Sequence, residues 1–303
     1  MLRRNVLIFH SGALGDFIVT WPLALSLARL FPQSRIYYVT ASQKAALAER
    51  VLRLESADAE AGWHQLFSES PALPEPAMKL LSNAHTVLSF IAAPHEHWAE
   101  NVRSLAPDAN LLCINTVVPP NFSGHVTDWL IEQWGAWAAG QAAARQIVHS
   151  LASRGLPLTR TGRDIVLMQP GAGSEAKCWP AAHFLELARR LAAAGLTVRV
   201  LLGEAEIERW PADRAAEFAA VCDVRRPTTY LELLNHLADA SVFVGNDSGP
   251  GHLAGIVGVR TLSLFPSSDP DRWKPLGPHV RVLSGIPDQL NVDRVYEAVT
   301  ESE

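Results

Sequence analysis

The stretch Ser241-Val242-Phe243-Val244-Gly245-Asn246-Asp247-Ser248-Gly249-Pro250-Gly251-His252-Leu253-Ala254-Gly255-Ile256-Val257 decides the fold. Its first four residues have the length and composition of a strand buried in a parallel sheet. A turn of small residues follows, from Gly245 to His252, and it runs directly into an apolar helical segment. Ser248 is placed to cap that helix, and Pro250 suits its first turn because the missing N–H has no partner there in any case. Strand, glycine-rich turn and helix N-terminus together make an anion site. Backbone N–H groups point outward, the helix dipole favours negative charge, and glycines such as Gly249 admit a phosphate closely. Asp247 and His252 flank the site. An aspartate beside a phosphate is repulsive unless it binds something else, such as a ribose hydroxyl. The bland alternative is an ordinary strand-to-helix loop, and this stretch alone does not separate the two.

Two further stretches have the same form. Gln169-Pro170-Gly171-Ala172-Gly173-Ser174-Glu175-Ala176-Lys177-Cys178-Trp179-Pro180 follows Ile165-Val166-Leu167-Met168, and Gly12-Ala13-Leu14-Gly15-Asp16 follows Val6-Leu7-Ile8-Phe9. Gly171 and Gly173 allow close backbone approach, Ser174 adds a hydroxyl, and Lys177 supplies positive charge. Glu204 comes just after the strand ending at Leu202, where it could accept hydrogen bonds from a ribose or base. A lone lysine or glutamate on a loop is usually surface decoration; position at the ends of parallel strands raises these two.

Outward from these loops the chain alternates strand and helix throughout. Strands are expected at 5–9, 36–40, 86–90, 111–115, 165–168, 197–202, 241–244 and 260–265. Helices are expected at 16–31, 42–54, 76–83, 96–105, 125–150, 182–194, 205–220, 229–238, 249–257 and 291–301. Residues 55–75 read as irregular. The segment Gly155-Leu156-Pro157-Leu158-Thr159-Arg160-Thr161-Gly162-Arg163 reads as a linker. The organisation is therefore α/β, with a first domain over 1–155 and a second over 163–303. Each is a Rossmann-like parallel sheet covered on both faces, and the two face a central cleft.

Composition narrows the function. The chain has 303 residues, 48% hydrophobic and 19% charged, which is ordinary for a globular protein of two domains. A net charge of −5 argues against a nucleic-acid or polybasic membrane binder. Cys113, Cys178 and Cys222 form no CxxC pair, so neither a disulfide framework nor a zinc site is expected. The apolar run after Arg4 is too short for a signal peptide, and no segment has the length and apolarity of a transmembrane span.

With these residues in hand, the chain resembles glycosyltransferase family 9, the ADP-heptose:lipopolysaccharide heptosyltransferase-like enzymes. The resemblance rests on Gly15-Asp16 with Trp21-Pro22-Leu23, on Gln169-Pro170-Gly171-Ala172 with Lys177 and Trp179-Pro180, and on Gly245 to Ala254 with Asp269-Pro270, Arg272-Trp273 and Pro275-Leu276-Gly277. The third match is long and specific; the first is weak alone. The resemblance implies the GT-B fold and inverting sugar transfer from a nucleotide diphosphate sugar, usually ADP-heptose, without metal or other cofactor. It implies a glycan or lipid-linked glycan acceptor, as in lipopolysaccharide synthesis. It implies a cytoplasmic protein, with peripheral contact at the inner face of the inner membrane allowed. By similarity Asp16 would be the general base; Lys177, Ser248, Gly249 and His252 would hold the diphosphate; Glu204 and Asp247 would serve the nucleoside or the sugar.

The residue chemistry agrees. A carboxylate with a reference pKa of about 3.9 is ionised at neutral pH and can accept the acceptor hydroxyl's proton. Lysine, histidine and helix N–H donors stabilise the leaving diphosphate. A helix cap is the alternative for Asp16. The chain departs from the family at Gln169, where a histidine is usual, and at Gly251, where a methionine is usual. Residues 49–75 also carry Glu49, Glu55, Asp58, Glu60, Glu69 and Glu75 against Arg50 and Arg53, whereas phosphorylated acceptors call for basic surfaces. Asp269-Pro270-Asp271 reads as structural although it spells a metal-binding DxD, and His95-Glu96-His97 offers two metal ligands without a third. The rival readings are a nucleotide-sugar epimerase and a non-catalytic nucleotide-sugar-binding protein on the same architecture. A dehydrogenase is disfavoured because the first turn has no GxGxxG followed by an acidic residue about twenty positions on.

Overall fold

The computed structural model describes residues 4–301 other than 136, 287 and 288, and of residues 204, 205 and 212 it describes the backbone alone. The chain divides into two compact units, Met1–His149 and Ser150–Glu303.

The first unit is built on five strands: β1 Asn5–Phe9, β2 Arg35–Thr40, β3 Glu55–Asp58, β4 Ala84–Ser89 and β5 Asn110–Cys113. All pair in parallel, in the order β3-β2-β1-β4-β5. Parallel strands are buried on both faces and so read as continuous apolar runs. β1 is buried along its whole length. The crossovers carry α1 Leu14–Val19, α2 Trp21–Leu30, α3 Ser42–Leu52, α4 Glu75–Ser82 and α5 His97–Leu105; α6 Val126–Glu132 and α7 Ala138–Arg154 follow β5. Phe9, Trp63 and Trp98 meet edge to face in the core, with ring centroids 5.1 and 4.9 Å from Phe9.

The second unit has six strands: β6 Ile165–Gln169, β7 Thr197–Leu201, β8 Asp223–Arg225, β9 Ala240–Asn246, β10 Arg260–Phe265 and β11 Val280–Ser284. They too are parallel, ordered β11-β10-β9-β6-β7-β8. Between them run α8 Ala181–Ala193, α9 Glu204–Arg209, α10 Ala212–Ala219, α11 Tyr230–Asp239, α12 Gly249–Ile256 and α13 Pro270–Trp273, and α14 Val292–Thr300 closes the unit. Its core gathers Met168, Trp179, Phe184, Val200, Phe218, Val244 and Leu264 with Val295 of α14. In both sheets the direction of strand addition reverses beside the first strand, between β1 and β4 and between β6 and β9. Ligands of open α/β sheets bind outside the carboxyl ends of the strands at such a switch point.

Several elements differ from the sequence reading. The helix expected over 16–31 is two, broken at Thr20, because Pro22 has no N–H to extend α1. The helix expected over 125–150 is also two, and Gly135 between them has φ +54. Pro211 separates α9 from α10. The region read as irregular contains β3 and a 3-10 turn, Trp63–Phe67. The expected linker is bonded to the second unit. Leu156 N–H donates to Ile256 O at 2.6 Å, Thr161 N–H to Ala238 O at 3.1 Å, and Thr161 Oγ1 to Asp239 at 2.8 Å. The division between units falls earlier, within α7.

Candidate functional site

In the second unit, β6 and β9 end side by side, and their loops are locked together by Asn246. This residue is fully buried. Its Nδ2 donates to Pro170 O at 2.6 Å and its Oδ1 accepts from Trp179 N–H at 2.8 Å, so one side chain grips both ends of the loop after β6. The loop after β10 adds a third tie, from Ser267 Oγ to Ala176 O at 2.6 Å.

Held in this way, Lys177 reaches Asp247, with Nζ 2.8 Å from Oδ2. His252, on the first turns of α12, brings Nε2 to 3.8 Å from Asp247 Oδ1. The Asp247 side chain is 4% exposed and that of Lys177 is 36% exposed. Burial pushes the Asp247 carboxyl up, but hydrogen bonds from His252 and Lys177 and their charges outweigh it and hold it below the usual carboxylate range. Lys177 Nζ also lies 5.6 Å from the centre of the Trp273 ring. Lys177, Asp247, Ser248 and His252, singled out in the sequence, are thus one cluster at the switch point.

The other expected residues take the following places. Ser248 is the N-cap residue of α12 in extended conformation, but its side chain makes no cap bond; Oγ instead donates to Gln169 Oε1 at 3.2 Å. Gly249 opens the helix, and no side chain caps that N-terminus among the described residues. The close approach at Gly171 is to the protein itself: a Cβ there would collide with Glu206 Oε1. Gly173, in contrast, faces open space. Ser174 is exposed, and its carbonyl accepts from Lys177 N–H at 3.2 Å, closing the 3-10 turn Glu175–Lys177. Glu204 begins α9, and its side chain lies outside the described residues.

The carboxylate that the structure sets behind this site is Glu206, which sequence reasoning missed. It is 1% exposed. Oε1 accepts from Gln169 Nε2 at 2.7 Å, and Oε2 accepts from Gly203 N–H at 2.8 Å. Burial raises its pKa, and its backbone and Gln169 hydrogen bonds offset only part of that. A continuous chain therefore runs from Ser248 through Gln169 and Glu206 to Gly203, joining the ends of β6, β7 and β9. Arg209, also missed, donates to Ala172 O at 3.3 Å and Gly173 O at 3.1 Å. The signal for Glu206 is its spacing: a glutamate three residues after an N-cap position is half of a capping box.

In the first unit, Asp16 stands in the first turn of α1, after the end of β1. Its side chain is exposed, and Oδ2 accepts from Ala13 N–H at 3.3 Å, which is cap-box geometry. Beneath the turn lie two buried bases. His10 is 3% exposed, packs on Phe17 and Phe90, and has its pKa lowered to about 3, by burial first and then by the charge of Lys44. Lys44, 6% exposed, donates from Nζ to Gly12 O at 2.6 Å. Burial lowers its pKa, and the Asp16 charge opposes this.

Asp269 accepts from Asp271 N–H at 2.9 Å as the N-cap of α13, in keeping with a structural reading of that Asp-Pro-Asp. His97 pairs with Glu100 at 3.2 Å on an exposed helix start. Among the described residues no helix is long and apolar enough to cross a membrane.

Residues 122–301 match the sequence profile of glycosyltransferase family 9 (heptosyltransferase). Lipopolysaccharide heptosyltransferase 3 of Escherichia coli is 30% identical over 117 residues, covering 38% of this chain and 34% of that protein. The chain thus spans about a third of the length of the curated relative it matches. Among solved structures, E. coli ADP-heptose lipopolysaccharide heptosyltransferase II superposes with a TM-score of 0.70 over 97% of each chain, at 18% identity. An E. coli heptosyltransferase with ADP superposes at 0.67 over 97% of this chain and 98% of that one, at 17% identity. At such identities the likeness is one of fold, and it is the GT-B fold expected from the sequence.

Proposed function

We propose that this chain, which belongs to glycosyltransferase family 9, transfers a sugar from a nucleotide diphosphate donor to a hydroxyl acceptor with inversion. The observation that carries the proposal is the Lys177–Asp247–His252 cluster at the switch point of the second sheet. A diphosphate leaving group gains negative charge as the glycosidic bond breaks. Lys177 supplies positive charge for it, and His252 and the N–H groups of α12 at Ser248 and Gly249 supply donors, the part a divalent cation plays in other transferases. Asp247, ionised and paired with Lys177 and His252, accepts from sugar or ribose hydroxyls. The ring of Trp273 offers a flat apolar surface beside the same lysine.

Asp16 is proposed as the base on the first unit. Its carboxylate is solvent-accessible and keeps acceptor capacity beyond the single bond from Ala13. The reaction balances simply. The acceptor hydroxyl loses its proton to Asp16 as its oxygen bonds to the anomeric carbon, and the nucleoside diphosphate departs with the electron pair of the broken bond. The first unit is accordingly the acceptor side and the second the donor side. ADP-heptose is the favoured donor, since the structurally similar proteins are described with ADP or ADP-heptose. A lipopolysaccharide-type glycan is the favoured acceptor, met at the cytoplasmic face of the inner membrane.

A thermal-shift screen of ADP-, UDP-, GDP- and TDP-linked sugars tests the donor. ADP-heptose should raise the unfolding midpoint most; preference for a UDP sugar would overturn the assignment. Product analysis then separates transfer from epimerisation, because an epimerase converts the donor without an acceptor. Asp16→Asn keeps a good helix N-terminal residue but accepts no proton, so turnover should fall about 10²–10⁴-fold with donor affinity unchanged. Wild-type turnover in that variant would return Asp16 to a capping role alone.

A further inference from the structure

We propose that Lys44 is a positioning residue for Asp16, acting through the single peptide group between Gly12 and Ala13. The inference rests on the reading of Asp16 as the base. The Gly12–Ala13 peptide is gripped at both ends: its oxygen accepts from Lys44 Nζ at 2.6 Å, and its N–H donates to Asp16 Oδ2 at 3.3 Å. A donor on the carbonyl oxygen polarises the peptide and strengthens what its N–H gives to the carboxylate. The same contact fixes where the turn sits. Gly12 is packed so closely that a Cβ there would lie 3.1 Å from Asp16 Cβ and 3.2 Å from His10 Cε1. Moving the Gly12 carbonyl therefore moves Asp16.

The topology explains how a residue from another helix reaches this turn. β1 and β2 are parallel neighbours, so the turn after β1 and the start of α3 after β2 lie along one edge of the sheet. Lys44 stands in the first turn of α3 and is 6% exposed. Lysines are seldom buried so deeply without a partner, and burying the ammonium costs solvation energy. Stability alone gives little reason for it. Gly12 is an exposed residue, and an apolar side chain of similar length would fill the space of the lysine stem without burying a charge. The titratable groups facing the turn are Asp16 on α1, Lys44 on α3 and, just after β1, His10, which burial and the field of Lys44 keep neutral.

The test is a double-mutant cycle on the full chain, with release of ADP from ADP-heptose measured against heptose-deficient lipopolysaccharide. Lys44→Met keeps the stem and removes the ammonium. It should lower kcat by about 10- to 100-fold, leave KM for the donor unchanged, and leave the unfolding midpoint equal or higher. Lys44→Arg should restore most of the rate. In an Asp16→Asn background, Lys44→Met should cost almost nothing more, because its effect passes through the carboxylate. Should Lys44→Met not fold, Lys44→Gln takes its place with the same readouts. A slow Asp16→Asn enzyme beside a fast Lys44→Met enzyme overturns the positioning role and leaves the base standing. Equal losses from Lys44→Met in both backgrounds overturn it too. A fast Asp16→Asn enzyme removes the base, and the positioning role falls with it.

Discussion

Asn246→Ala should damage the second unit more than any other single truncation of a polar side chain at the candidate site. The side chain is fully buried, donates to Pro170 O at 2.6 Å and accepts from Trp179 N–H at 2.8 Å. Trp179 is itself fully buried and Pro170 is buried. Truncation leaves both backbone groups without water and without a partner. Each such group costs about 1–3 kcal/mol, so the loss is about 2–5 kcal/mol after some relaxation. For a unit of this size each kcal/mol moves the midpoint by about 2–4 °C, giving a fall of about 4–20 °C in the transition of the second unit. Asn246→Asp should be as damaging or worse at neutral pH, since a carboxylate oxygen would then face the Pro170 carbonyl oxygen. Thermal unfolding followed by circular dichroism reads the stability, and calorimetric titration with ADP reads the consequence for the loop, whose Lys177 loses its alignment. A midpoint within about 2 °C of wild type would refute the view that this one side chain locks the two loops together.

Three further outcomes are expected. Gly171→Ala drives a Cβ into the Glu206 carboxylate and should cost at least about 2 kcal/mol of unfolding free energy, whereas Gly173→Ala, facing open space, should be near neutral; equal effects would refute the packing argument. His10 is neutral when folded down to pH about 3 but takes a proton below about 6.5 when unfolded. Wild-type stability should therefore fall as pH drops from 6.5 toward 3, by up to about 1.4 kcal/mol per pH unit from this residue, and His10→Phe should make the acid limb of the stability profile shallower. An unchanged slope would reassign the acid sensitivity. Lys177→Ala should weaken ADP by more than adenosine, by about 1.5–3 kcal/mol of differential binding, and equal losses would remove Lys177 from the diphosphate site.

The sequence carried the central strands and the loops that follow them because burial on both faces leaves an unbroken apolar run. β1, β6 and β9 read clearly for that reason. The strands that escaped lie toward or at the sheet edges, where the demand is weaker: β3 is Glu-Ser-Ala-Asp and β8 is Asp-Val-Arg, each paired on one side. Helix breaks were legible in principle at Pro22 and Pro211 but were smoothed over by the apolar periodicity on either side. At the site, Lys177, Asp247 and His252 could be named from loop position because strand order brings the ends of β6 and β9 together. Glu206 could not, because its importance comes from three simultaneous partners: Gly203, Gln169 and the Cβ-less Gly171. Lys44 carries no local signal, since it is an ordinary helix-start residue until the pairing of β1 with β2 sets it against Gly12.

The ion pair between Lys177 and Asp247 bears directly on how a diphosphate would be held. In the structure, the lysine charge is already committed to a carboxylate whose side chain is 4% exposed. A phosphate arriving at Lys177 must share it, and the direct repulsion between phosphate and Asp247 opposes binding. Three features reduce that cost. His252 remains as a second partner for Asp247 at 3.8 Å. Lys177 is still about one-third exposed, so its ammonium has N–H directions open to a ligand while it keeps the bond to Asp247. The α12 N-terminus, with Ser248 turned away to Gln169, keeps its first N–H groups without a side-chain cap. The same arithmetic sharpens the reading of Lys177→Ala. That variant removes a phosphate partner and also strips Asp247 of its lysine partner, so part of any loss comes from a buried carboxylate left with His252 alone. Comparing ADP with adenosine cancels only the part of this second effect that both ligands share, such as a shifted loop, because the unscreened Asp247 charge repels the phosphate of ADP alone. A large differential loss therefore reports the lysine charge at the phosphate, its direct contact and its screening of Asp247 together, and a loss shared by both ligands reports a loop displaced by the collapse of the Asp247 pair.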